Sequence, residues 1–207
     1  MNEMVLAVPR LAIESLLRQG FFEAHGTDLI GRLGEQSVFI DRQLAEEDPS
    51  YKQIIPYVLV EHDGKFLVYR RTAKQGENRL HGRLSIGFGG HINEVDGKRD
   101  TRTNVILAAM VRELNEEVYL PNISAIRVAG FINDESNPVG RVHLGVVFVV
   151  ETGSDRVVVN EPEMIEAYWR DARAIEEDYP RFEPWSRILW SEHVRPHLVS
   201  GIYDVKN

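Results

Sequence analysis

Cysteine is absent from the 207 residues. That removes disulfides, thiolate nucleophiles and cysteine-ligated zinc together. No apolar run approaches the roughly 18 residues that a spanning helix needs. Glu3, Pro9, Arg10, Glu14 and Arg18 break the first twenty residues, so no signal-peptide core is read there, and a cytoplasmic protein is expected. An excess of positive charge is lacking too: 24 Lys+Arg face 32 Asp+Glu, a net charge of −8. A protein that coats nucleic acid by charge alone is thereby excluded, and no stable nucleic-acid partner is expected. A small anionic substrate stays open, because a divalent cation inverts the local field.

The remaining composition is that of a folded protein. Hydrophobic residues make up 43% and charged residues 27%, which argues against disorder. The length suits one domain, or one domain with an extension. Leu11 to Leu17 has helical spacing that Gly20 stops. Gly26, Gly31 and Gly34 suggest turns, Val38 to Ile40 a short strand, and Asp41 to Asp48 a polar run into a turn at Pro49. Residues 1–50 are thus expected to be an N-terminal extension packed on a main domain of residues 51–207. From Ile54 the pattern sharpens. Two apolar strands flank the hairpin signal His62-Asp63-Gly64. A basic stretch follows, then Gly89-Gly90, a loop around Asp96-Gly97, and a helix over Asn104 to Val118. Ala125 to Ile132 and Val142 to Val150 read as strands, with weaker strands at Arg156 to Val159 and Ile165 to Trp169. Helices over Asp171 to Glu177 and Glu183 to His193 close the chain. The order is that of a mixed α/β protein.

The central helix carries the chemistry. At roughly 100° per residue, Glu113, Glu116 and Glu117 fall within an arc of about 100°. Leu107, Met110, Val111, Leu114 and Val118 share another face, expected to be the core stripe. Like charges at i,i+3 and i,i+4 each destabilise a helix by a few tenths of a kcal/mol. Near a helix C-terminus the macrodipole opposes them further. A hard divalent cation with oxygen ligands would offset both effects.

Around these glutamates the chain resembles the Nudix hydrolase (MutT-like) family, whose signature is G-x5-E-x7-R-E-U-x-E-E-x-G-U with U apolar. Gly90 matches the first glycine, and Arg112-Glu113-Leu114-Asn115-Glu116-Glu117 matches the second half. Three departures stand out. Counting forward from Gly90 puts the early acidic position at Asp96; counting back from Arg112 puts it at Asn104, eight residues later. Tyr119 replaces the late glycine, which elsewhere permits a left-handed cap. Phe88 replaces the proline that usually precedes the paired glycines. Since the early glutamate positions the arginine in the family, Asp96 is the expected partner of Arg112.

The resemblance implies a Nudix-type α/β/α sandwich with a mixed sheet. It also implies a pyrophosphohydrolase that cleaves a nucleoside diphosphate linked to another group, by attack of water on phosphorus. Glu113, Glu116 and Glu117, with a carbonyl from Gly89 or Gly90, would hold Mg²⁺, or Mn²⁺ in its place. Arg112 would orient a glutamate. Glu163 is favoured over Glu161 and Glu166 as general base. Arg70 and Arg71 are candidates for the phosphates, among the basic residues Lys74, Arg79 and Arg83. Phe88 is a candidate pocket residue. His91 and His143 lie beside motif segments and read as structural.

Substrate markers are missing. The place of the proline that marks ADP-ribose enzymes is Asp134, and Glu135-Ser136-Asn137 occupies the region of the diadenosine-polyphosphate tyrosine. The strings from Tyr51 to Tyr57, Gly89 to Asn93 and Ser136 to His143 are similar to a bacterial subgroup of predicted MutT-type phosphoesterases. The alternative is a non-catalytic Nudix-fold nucleotide sensor. The N-terminal extension leaves room for a homodimer.

Overall fold

The computed structural model describes residues 3–25, 28–71, 82–99, 105–160, 162 and 165–199. In chain order these form β1 (Met4–Pro9), α1 (Arg10–Ile13), β2 (Gly20–Glu23), α2 (Leu29–Gln36), β3 (Val38–Asp41), α3 (Arg42–Glu47) and β4 (Tyr51–His62). Next come β5 (Lys65–Arg71), β6 (Leu84–Ser85), β7 (Gly87–Phe88), α4 (Glu94–Arg99), α5 (Val105–Glu117), β8 (Val118–Tyr119), β9 (Ile123–Asn133) and α6 (Pro138–Arg141). The chain continues through β10 (His143–Thr152), β11 (Val158–Val159), β12 (Ile165–Arg170), α7 (Ala172–Asp178), α8 (Pro184–Leu189) and α9 (Arg195–Val199). The large sheet has the order β12-β5-β4-β10-β9-β2, and β8 pairs with β11 in a separate ladder. This is the mixed α/β architecture that the pattern of elements predicts.

The chain divides into two compact units. The first comprises Met1–Tyr57, Gly89–Arg112 and Val128–Val147. In it β1 pairs antiparallel with β3, from Met4↔Asp41 to Ala7↔Val38, and with β4, from Ala7↔Gln53 to Pro9↔Tyr51. Asn93 bridges to Val5, and β2 pairs with β9. Lys52 is fully buried here. Its ammonium meets Glu135 at 2.7 Å and donates to Asn133 Oδ1 at 2.6 Å, so the charge is both paired and hydrogen-bonded.

The second unit comprises Val58–Phe88, Glu113–Arg127 and Phe148–Asn207. Its hairpin turns at Asp63 and Gly64, whose φ values of 45° and 71° suit the right-handed twist of the flanking strands. The β5–β12 ladder runs from Phe66↔Arg170 to Arg71↔Ile165. Phe66 meets Trp190 edge to face at 5.6 Å, both fully or almost fully buried.

Several elements differ from the pattern reading. β1 and β2 are regular where that reading left breaks, because short apolar runs give no clear period, and α4 is helical where Asp96-Gly97 signalled a loop. α2 runs through Gly31 and Gly34, which were expected in turns. Leu29 and Leu33, one helical turn apart, are 0% and 1% exposed. Their burial outweighs a propensity penalty of roughly 1 kcal/mol per glycine. α3 replaces the expected polar run. It is capped by Asp41, whose carboxylate accepts the N–H groups of Gln43 and Leu44. The helix expected over Leu11 to Leu17 is shorter and tightens into a 3₁₀ turn at Glu14–Leu16.

Candidate active site

The glutamates occupy the last two turns of α5. Its buried stripe is Ile106, Ala109, Met110 and Leu114, each at most 3% exposed. This corrects the expected stripe: Val111 is 43% exposed, and Leu107 is only half-buried. Glu113 lies three and four residues beyond Met110 and Ala109, so it sits at the border of the stripe and is half-buried. Glu117 repeats that position one turn later and is also half-buried. Glu116 and Asn115 are exposed. The three carboxylates therefore form a ridge along one edge of the core face.

Arg112 is held firmly. Its Nε donates to Asp96 Oδ1 at 2.7 Å and its second guanidinium nitrogen to Asp96 Oδ2 at 2.8 Å, a bidentate pair. The Arg112 side chain is 11% exposed and that of Asp96 1%. The same guanidinium nitrogen donates to the His91 carbonyl at 3.0 Å. Asp96 Oδ2 also accepts the Asn93 N–H at 3.0 Å. One carboxylate thus ties the arginine to the segment that follows the paired glycines. The forward count from Gly90 is the one that finds the partner. The eight additional residues of the loop follow Asp96, and Asn104 lies outside the described residues.

That segment approaches β4 closely. A Cβ on Gly89 would stand 1.9 Å from the Pro56 carbonyl oxygen, so only glycine fits there. Gly90 is half-buried. His91 Nε2 lies 3.4 Å from His143 Nε2, and His143 Nδ1 donates to the Val139 carbonyl at 2.7 Å. Burial foremost, then the Arg42 and His143 charges, pushes the His91 imidazole down to about 3. Both histidines read as hydrogen-bonded structural groups.

The other candidates are placed as follows. Phe88 is fully buried, its ring stacked on Tyr69 at 4.6 Å, so it packs the interior and faces no solvent. Arg70 is half-exposed and donates to Glu166 at 2.7 Å, its partner across the β5–β12 ladder. Arg71 lies in β5, but its side chain is outside the described residues, as are Lys74, Arg79, Glu161 and Glu163. Arg83 donates to the Pro180 carbonyl. Among the described residues, no three His, Asp or Glu side chains are gathered closely enough to hold a metal ion. The carboxylate oxygens of α5 are the hard donors that Mg²⁺ takes, so the donor set fits in kind, although it is not assembled as a cage.

The end of α5 has a residue that pattern reading missed. Asn160 donates its backbone N–H to the Glu117 carbonyl at 3.0 Å and its side-chain amide to the Asn115 carbonyl at 2.7 Å. Nothing in the sequence marks it, since 45 residues separate it from Asn115.

No family model matches the chain. Tm1382, described from its crystal structure as a candidate Nudix hydrolase, has a TM-score of 0.78 and 28% identity, covering 94% of this chain and all of that one. The Nudix domain of Shewanella oneidensis NrtR, solved with ADP ribose, has a TM-score of 0.52 and 12% identity, covering 71% of this chain and 88% of that one, and so shares the fold. Fold and motif together assign the chain to the Nudix hydrolase family. Protein YmaB of Bacillus subtilis (strain 168) is a relative along nearly the whole length, 35% identical over 199 residues, 91% of this chain and 96% of that protein.

Proposed function

We propose that the protein is a Mg²⁺-dependent pyrophosphohydrolase, with Mn²⁺ as an alternative ion, acting on a nucleoside diphosphate linked to a further group. The observation that carries this reading is the Arg-Glu-x-x-Glu-Glu run of α5 with Arg112 locked to Asp96, in a chain that shares its fold with Tm1382. ADP ribose bound to the NrtR Nudix domain supports a nucleotide of that kind. Glu113, Glu116 and Glu117, with the Gly90 carbonyl, would hold the ion. A bound divalent ion of this type polarises phosphate oxygens and lowers the pKa of an attacking water.

The chain's own groups do the rest. Asp96 and the His91 carbonyl hold the Arg112 guanidinium in one place before substrate arrives. Arg70 offers a guanidinium to the phosphates. Its present partner is a half-exposed ion pair worth at most about 1 kcal/mol, which a doubly charged phosphate displaces readily. Arg71 is the second phosphate candidate, its side chain lying outside the described residues. Glu163 is assigned the proton from the attacking water, as general base.

A second reading, a nucleotide-binding sensor without turnover, is favoured by the absence of an assembled three-ligand cluster among the described residues. One experiment separates the two. A panel of nucleoside diphosphate derivatives is incubated with the protein and Mg²⁺, and phosphate-containing products are followed. Turnover that falls at least about a hundredfold in Glu116→Gln and Glu117→Gln, with the fold retained, supports the enzyme, since even outer-shell changes cost 10–100-fold. Tight binding of one nucleotide with no turnover across the panel would establish the sensor.

A further inference from the structure

The last turn of any α-helix leaves four carbonyls beyond the reach of helical N–H groups. In α5, which ends at Glu117, the last turn is the backbone that carries two of the three site glutamates. The family signature places a glycine two residues later, where a left-handed turn would satisfy such groups. This chain has Tyr119 there. Among the described residues Asp63 alone is a non-glycine with positive φ, so Tyr119 makes no such turn. Instead Val118 and Tyr119 run directly into a ladder with Val159 and Val158.

Asn160 follows that ladder, and its two donors reach back to the Asn115 and Glu117 carbonyls. A carbonyl only accepts, so the amide must present its nitrogen to Asn115, which fixes its orientation. The Asn115 and Glu117 carbonyls are thereby bonded from outside the helix. We propose that Asn160 is a positioning residue for the carboxylate site, replacing the signature glycine by capping the glutamate helix from a distant loop. This deepens the hydrolase reading and rests on it.

N–H donors at the negative end of the helix offset part of the field that opposes the nearby carboxylates. Asn160 touches no substrate in this scheme; it acts through Glu116 and Glu117.

The test uses the full-length protein and Mn²⁺ alone, titrated by electron paramagnetic resonance, together with amide hydrogen exchange along α5. Asn160→Asp keeps the shape, removes the donor and sets a carboxylate against the Asn115 carbonyl. Mn²⁺ affinity is expected to fall about tenfold in Asn160→Asp and Asn160→Ala, within the range of outer-shell changes. Asn160→Gln, which keeps an N–H₂ donor, recovers part of the loss. Exchange in the last turn of α5 should quicken while the turn around Arg112 is unchanged. Wild-type affinity and wild-type exchange in folded Asp and Ala variants would overturn the proposal. Failure of the wild-type protein to bind Mn²⁺ at all would instead overturn the hydrolase reading, and exchange would still decide whether Asn160 holds the helix end. Should Asn160→Asp fail to fold, the Ala and Gln variants give the same comparison.

Discussion

Helix α5 is secured at Arg112 by a buried bidentate ion pair and at its last turn by two hydrogen bonds from one exposed asparagine. The first fixture is charged and dry. Removing one partner takes away a charge-assisted bidentate pair in a largely buried place. The second is neutral and wet. Losing it lets water satisfy the same carbonyls, so its contribution to stability is small. Firmness of anchoring therefore falls along the helix from Glu113 towards Glu117. The end nearest Glu117 is the softer one.

The comparison is broken most sharply at Asp96. Asp96→Ala removes the buried bidentate carboxylate of Arg112, and a loss of about 3–5 kcal/mol is expected in denaturant unfolding. Replacing both residues by apolar ones should cost far less than the two single changes summed, which a double-mutant cycle measures. An additive cycle would show that the pair does not act as a unit. Gly89→Ala forces a methyl group into the Pro56 carbonyl, and roughly 1–3 kcal/mol should be lost by the same assay. Asn160→Ala removes one exposed side-chain bond and should cost only about 0.5–1.5 kcal/mol.

The smallest effect is a pH dependence remote from the helix. Burial first, then repulsion from Glu151, raises the Glu61 carboxyl to about 7. The folded state then holds this proton more tightly than the unfolded chain, whose carboxyl titrates near 4.5. Stability from the protonated form is complete below about 4.5 and is lost as pH rises through 7. Glu61→Gln mimics the neutral acid, so it should raise the melting temperature at pH 8 and leave it nearly unchanged at pH 4. Equal shifts at both values would show that Glu61 does not titrate in this window.

The two ends of α5 also differ in how far they could be read beforehand. Asp96 was reachable by counting from Gly90, because the partner of Arg112 sits at the signature spacing and the additional residues follow it. Asn160 was out of reach: its contacts depend on β8 and β11 pairing, and pairing across a long loop leaves no local trace. The core stripe of α5 was misjudged by about one residue. Leu107 and Val111 are as apolar as Ile106 and Met110, and a helix with apolar residues on two adjoining faces does not declare which one turns inward. Burial of Ile106, Met110 and Leu114, with Arg112 drawn to Asp96, settles the rotation. The β4–β5 hairpin was legible because Asp-Gly between apolar runs has one favoured turn. α2 was not, since glycine signals turns locally while Leu29 and Leu33 bury a helix face against the rest of the unit.

The chain's order of residues by itself determined that three carboxylates and an arginine share one helix and that no thiol chemistry competes with them; that Asp96 partners the arginine was an expectation of the family resemblance, which the structure bears out. These follow from helical period and spacing, which are local. Only the tertiary structure decided how α5 is rotated, that Arg70 meets Glu166, that Phe88 is sealed against Tyr69, and that Asn160 closes the helix. Such outcomes depend on which surfaces exclude water together and which distant donors find unsatisfied carbonyls, and no short window of sequence contains both partners.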